Sequence, residues 1–137
     1  MGKLVARYSM MSDRKYRDVW AMPFKSQEFA RGPELVQHRD TASLRLDYET
    51  RTGAYAWKIV HFVGVSAVEF TAWSSCTPDQ VSAYDRFVEV ESSEWLPTLH
   101  DLPEGTHHFR VFFDDVGCYE VAATDLLVDD DGSRRHV

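Results

Sequence analysis

Ser43-Leu44-Arg45-Leu46-Asp47-Tyr48-Glu49, then Thr50-Arg51-Thr52-Gly53, then Ala54-Tyr55-Ala56-Trp57-Lys58-Ile59-Val60-His61-Phe62, is the stretch on which the fold turns. Leu44, Leu46 and Tyr48 alternate with Arg45, Asp47 and Glu49, the period of a strand with one buried face. Residues 50–53 read as a hairpin connection in which Gly53 supplies a positive φ at no steric cost. The return strand places Tyr55, Trp57 and Ile59 on one face and Lys58 on the other.

Working outward toward the C-terminus, Gly64 allows a bend or bulge before a further strand over residues 65–73. Thr77-Pro78-Asp79-Gln80 then has the features of a helix start. Thr77 caps, Pro78 suits the first helical position, Asp79 favours the dipole and Gln80 completes a capping box. The pattern predicts a helix of about two turns over residues 79–84, because no apolar periodicity extends it. Residues 86–91 read as a strand with Val88 and Val90 inward and Glu89 and Glu91 outward, and residues 93–96 as one more turn before Pro97. Residues 106–113 and 118–123 are β-rich runs joined by Asp114-Asp115-Val116-Gly117, where glycine is expected in the left-handed position.

The N-terminal side is less patterned. Residues 4–8 suit a short strand, residues 12–20 a helical turn or loop, and Pro23 and Gly32-Pro33 punctuate an irregular stretch. The whole chain, residues 1–137, is expected to form a single domain with a partly irregular segment over 1–42 and a frayed polar tail over 129–137. The fold class is mainly β, at the α+β margin, with about five to seven antiparallel strands and one or two short helices. A strongly bent sheet, a small barrel and a two-layer sandwich would each cover its aromatic face.

Composition narrows the function classes. With 44% hydrophobic and 27% charged residues in 137, the chain is neither disordered nor fibrous. No apolar run reaches membrane-spanning length, the first residues lack a signal peptide's pattern, and two cysteines make no disulfide framework, so a cytoplasmic location is expected. Eleven arginines against four lysines, no asparagine and a single isoleucine, Ile59, fit a GC-rich bacterial coding sequence. Residues 1–51 hold 10 Lys/Arg against 7 Asp/Glu, whereas residues 52–137 hold 5 against 15. A net charge of −7, concentrated in the C-terminal part, repels phosphate backbones and disfavours nucleic-acid binding.

No catalytic, cofactor-binding or metal-binding constellation emerges. His107 and His108 point to opposite faces of one strand, His107 with Phe109, Val111 and Phe113, and His108 with Arg110, Phe112 and Asp114. The favoured reading is one partly buried and one solvated histidine. Cys76 and Cys118 lack the close pairing of zinc ligands, although Cys76, just before the capped helix, is where a thiol would be activated if any were. Glu89 and Glu91 share a face at about 7 Å, a glycosidase-like spacing that any exposed strand with two such glutamates also gives. Residues 64–68 lack a nucleophile elbow's second glycine, and no phosphate loop occurs.

Acid does accumulate around an aromatic anchor. Asp85, Glu89, Glu91, Glu94, Asp101 and Glu104 fall within twenty residues, with Trp95 among them. Asp85, Glu89, Glu91, Glu94, Trp95 and Asp101 therefore form the candidate partner-binding set, an aromatic ringed by carboxylates that would steer a basic protein. The segment Glu89-Val90-Glu91-Ser92-Ser93-Glu94-Trp95-Leu96, followed by His107-His108-Phe109-Arg110-Val111-Phe112-Phe113-Asp114-Asp115-Val116-Gly117-Cys118-Tyr119-Glu120-Val121-Ala122-Ala123, resembles small bacterial proteins of unassigned function. Some of these look like immunity proteins that neutralise toxins. The resemblance spans roughly residues 57–128 and implies a compact β-rich bacterial domain with no catalytic residue to carry over.

The leading expectation is thus a non-enzymatic protein-interaction domain, including an immunity-type inhibitor of a basic partner. The alternative is a small-molecule-binding barrel or enzyme with a cavity lined by Trp57, Trp73, Phe109, Phe112 and Phe113. Self-association through an uncovered strand edge is a third route, since β-rich domains must manage their edges.

Overall fold

The computed structural model describes residues 15–130 and 133–136, so the strand expected over residues 4–8 lies outside the described part. Within it run β1 (Tyr16–Trp20), β2 (Glu34–His38), β3 (Thr41–Glu49), β4 (Tyr55–Val63), β5 (Ala67–Ala72), α1 (Pro78–Val81), β6 (Phe87–Val90), β7 (His107–Phe113), β8 (Gly117–Ala123), β9 (Asp125–Asp130) and β10 (Ser133–His136). The strands pair antiparallel in two sheets, in the orders β1-β6-β7-β8-β5 and β10-β9-β4-β3-β2. Neither closes into a barrel. Of the three architectures open to the sequence, the protein adopts the two-layer sandwich. No helix among the described residues is long and apolar enough to cross a membrane.

The alternation in β3 builds one wall of the core. Leu44 and Leu46 lie opposite Val60 and Lys58 of β4, and Leu44, Leu46 and Val60 are fully buried. Phe62, Leu126 and Val128 extend this wall. Trp20, Phe87, Phe109, Val111, Phe113, Tyr119 and Val121 of the other sheet pack against it. Each such side chain contributes about 1.5–3 kcal/mol through burial, and together they fill the space between the sheets. Lys58 is also buried, on the same inward face as Val60.

The aromatic residues therefore do not line one cavity, and that part of the barrel reading is corrected. Phe109 and Phe113 fill the sandwich, whereas Phe112 lies on the opposite face of β7, in a second cluster. Trp73 is 51% exposed, and Trp57 sits on the outer face of β4 with the Arg45 guanidinium 5.4 Å from its ring centre.

Other departures have local causes. Residues 16–20, read as part of a helical turn or loop, form β1, held by pairing with β6 and by burial of Tyr16 and Trp20 at its ends. The stretch read as a frayed tail, residues 129–137, contains the end of β9 and all of β10, with Ser133 opposite Asp130 and His136 opposite Leu127. β1 and β9 each add only two core side chains to their main-chain pairing, which is why ten strands form among the described residues where alternation indicates fewer. Helix α1 is one turn rather than two, because the chain leaves it to pair with β7: Phe112 N–H donates to Ala83 O and Asp85 N–H to Phe112 O. In the β7–β8 turn the left-handed residue is Asp115, at φ 59°. Gly117 has φ 140°, and a Cβ there would meet Thr71 O at 2.2 Å. Strand β6 is buried on both faces, Phe87 between the sheets and Val88 and Val90 on the other side.

Candidate functional site: a cleft walled by Trp95

The outer face of the β1-β6-β7-β8-β5 sheet is roofed by α1 and the 91–98 segment. Strand parity gives this face His108, Arg110 and Phe112 from β7, and Cys118 and Glu120 from β8. Its apolar half, Tyr16, Ala83, Val88, Val90, Phe112 and Cys118, forms a second core. Its polar half is a charged network. Arg110 lies directly opposite Glu120, and its Nε and Nη2 both reach Glu120 Oε1 at 2.7 Å. Arg110 Nη1 donates to Tyr16 OH at 2.7 Å and to Asp79 Oδ2 at 3.2 Å.

The helix start supplies the remaining partners. Thr77 Oγ1 accepts from Gln80 N–H at 3.2 Å, and Gln80 Oε1 accepts from Thr77 N–H at 2.9 Å, so the capping box expected from sequence is formed. This fixes Gln80 so that its Nε2 donates to Glu120 Oε2 at 3.1 Å. Asp79 faces Lys15, whose Nζ is 2.6 Å from Oδ1. Burial opposes charge on Glu120, but bonds from His108 and the adjacent Arg110 outweigh it and bring the carboxyl down to about 2. Burial likewise opposes charge on Asp79, whose pKa is nonetheless lowered by bonds to Lys15 and Arg110. Burial would lower Arg110, yet its attraction to Glu120 raises it further.

His108 lies fully inside this network, and His107, on the other face, is half-buried. His108 Nε2 is 2.7 Å from Glu120 Oε1 and its Nδ1 is 2.7 Å from Ser93 Oγ. The Ser93 oxygen accepts from the backbone N–H of Trp95 at 3.2 Å and of Leu96 at 3.1 Å. Its hydroxyl proton is thereby directed to Nδ1, which leaves the imidazole proton on Nε2, facing Glu120. Serine, histidine and glutamate are in a row, but both serine lone pairs are engaged in holding the turn that carries Trp95. A similar row, Ser43 Oγ to His61 Nδ1 at 2.8 Å and His61 Nε2 to Asp129 Oδ2 at 2.7 Å, lies across β3, β4 and β9. Cross-strand neighbours of these types produce such chains readily.

Above the network opens a cleft of about 210 Å³. Trp95 forms one wall, its ring edge-on to His108 with centres 4.8 Å apart. Four carboxylates, Glu69, Asp79, Glu94 and Glu120, line it against the fixed cations Lys15 and Arg110. Lys15 pairs with Asp79 and Arg110 with Glu120, whereas Glu69 and Glu94 are exposed and form no ion pair with any described residue. The cleft's excess negative charge is theirs.

Of the six residues singled out from sequence, the fold brings Glu94 and Trp95 together here. Glu91 and Asp101 are exposed but do not line the cleft. Asp85, at φ 52°, turns inward, its Oδ2 accepting from Ser26 N–H at 3.2 Å. Glu89 is not an outward surface acid: it faces the rim between the sheets, bonded to Arg17 and to His107 Nδ1 at 2.6 Å, and these partners lower its pKa against the effect of burial. Glu69, Asp79, Arg110 and Glu120 were not among the six. A turn over residues 114–117 would pair Phe113 with Cys118 and set Arg110 against Val121; the structure pairs Phe113 with Gly117 across a three-residue loop, and that one-residue shift is what sets Arg110 opposite Glu120 on the face away from Phe109 and Val111.

Among the described residues two further hollows stand out, one of about 140 Å³ beside Arg17 and His107 and a more open groove of about 490 Å³ between residues 22–28 and 48–51. Neither joins a desolvated charge network to an aromatic wall. Among the described residues no three His, Cys, Asp or Glu side chains are grouped to hold a metal ion. Cys76 is not an activated thiol: burial pushes its pKa up, and Sγ donates to Thr71 O and Ala72 O at 3.4 and 3.5 Å. Compared with known proteins, the chain matches no family model, no curated protein and no solved structure. The likeness to immunity proteins therefore stands on the quoted residues alone.

Proposed function

We propose that the protein is a non-enzymatic interaction domain of the bacterial cytoplasm, an immunity-type inhibitor whose Trp95 cleft receives a basic side chain from a protein partner. The observation that carries this reading is the pairing pattern in the cleft. Lys15 and Arg110 already have acidic partners, so Glu69 and Glu94 are left to meet an incoming cation beside Trp95. An indole face adds about 0.5–2 kcal/mol to such a contact as it is desolvated. The surplus acid of residues 52–137 would steer a basic partner at long range. The cleft is also smaller than the roughly 300 Å³ at which small-molecule sites begin, which favours one inserted side chain over a free ligand.

The test is affinity capture from the native host with the tagged full chain at low and high ionic strength, beside the Glu94→Lys variant. A basic protein retained at low salt, released at high salt and lost with Glu94→Lys supports the proposal. No basic protein under either condition, or full retention by Glu94→Lys, removes it.

A further inference from the structure

We infer that the protein pairs with a second copy of itself along the free edge of β5, joining two five-stranded sheets into one continuous sheet of ten strands. Among the described residues β5 has a strand neighbour only on its β8 side, and beyond it only the Cys76 thiol reaches its main chain, at Thr71 O and Ala72 O near its end. An open edge offers a row of unpaired N–H and C=O groups, which proteins ordinarily guard with charge, proline or a bulge. The edge strand at the other side of this sheet, β1, is guarded by a register shift between Asp18 and Trp20 and by Arg17 and Asp18. In the second sheet, β2 is entered through Pro33 and carries Glu34 and His38. β5 has none of these devices except one acid, Glu69. It also presents Phe70, 48% exposed, and leads into Trp73, 51% exposed.

Symmetry then selects a register. Two antiparallel copies related by a two-fold axis normal to the sheet must oppose residues that point to the same face, so the axis passes through a residue. Centred on Glu69, the pairing would set two carboxylates directly against each other, a repulsive arrangement. Centred on Val68 or Thr71, it would overlap only three residues of β5. Centred on Phe70, it overlaps Val68 to Ala72 and places Phe70 on Phe70, Glu69 on Thr71 and Val68 on Ala72. The strand's one charge meets a hydroxyl and its exposed ring meets a ring. The same axis keeps both Trp95 clefts on one side of the enlarged sheet, with Glu69 of each copy lying between seam and cleft. The inference does not depend on what the cleft binds.

Sedimentation velocity and light scattering on the full chain test it. At high micromolar concentration the expected mass is twice 15.8 kDa, Phe70→Glu is expected to be monomeric with unchanged circular dichroism, and Phe70→Cys in a Cys76→Ser background is expected to oxidise to a covalent dimer. A wild-type mass of 15.8 kDa at every concentration overturns the inference. So does a dimer that survives Phe70→Glu, or one in which Phe70→Cys fails to cross-link. Should Phe70→Glu not fold, the cross-link decides alone.

Discussion

Glu120 is a carboxylate at the floor of the cleft that stays ionised only because His108, Arg110 and Gln80 all donate to it. Its folded pKa, about 2, lies below the ordinary glutamate value of 4.5. A depressed folded value means stability that is complete above pH 4.5 and lost as the pH falls toward 2. Chemical denaturation followed across that window should show wild-type stability falling with acid and Glu120→Gln falling less steeply. At neutral pH Glu120→Gln should be less stable by at most about 3–5 kcal/mol, the cost of breaking a buried pair, reduced because Arg110 keeps Asp79 as a second counter-charge. This pair shows how far sequence carries at the scale of single residues. The hairpin is legible near residues 114–117, but Arg110 meets Glu120 only because the loop is one residue shorter and Gly117 pairs with Phe113. That their face is roofed, and so buried, depends on α1 and the 91–98 segment folding back, which no local pattern encodes. Glu89 shows the converse: its alternation suggests an outward acid, and only the pairing of β1 with β6 brings Arg17 beside it.

At the scale of elements, legibility followed whether an element is specified by its own residues. The β3–β4 and β7–β8 hairpins and the Thr77 cap are locally encoded, and each forms where the sequence indicates. Strands β1 and β9 bury only two core side chains each, Tyr16 and Trp20, and Leu126 and Val128, and depend for the rest on the main chains beside them, so their sequences signal them weakly. Helix α1 begins at its encoded cap but ends where the chain turns aside to bond β7. The cap therefore does two jobs, since it starts the helix and sets Asp79 and Gln80 over Arg110 and Glu120. Thr77→Ala should lower stability by about 0.5–2 kcal/mol, measured by thermal or urea unfolding. It should also loosen the cleft floor, read as faster amide exchange at Asp79 and Gln80.

Across the described residues, the two sheets enclose a filled core, and the charged network of the cleft lies on the outer face of one of them. On the proposed reading, the core rings hold the sandwich while Glu69, Glu94 and Trp95 would meet the partner at the surface. Salt would act on the two differently, leaving the core intact while screening the acidic face over distances beyond about 10 Å at 0.1 M ionic strength. The most direct measurement is an amide-and-indole NMR titration of the isotopically labelled chain with an oligoarginine peptide, using oligoglutamate as the control. Saturable shifts at the Trp95 indole and at the Glu69 and Glu94 amides, present at low salt, absent at high salt and absent with oligoglutamate, are the predicted result. A Trp95 indole that stays unmoved by oligoarginine at low salt would contradict the account.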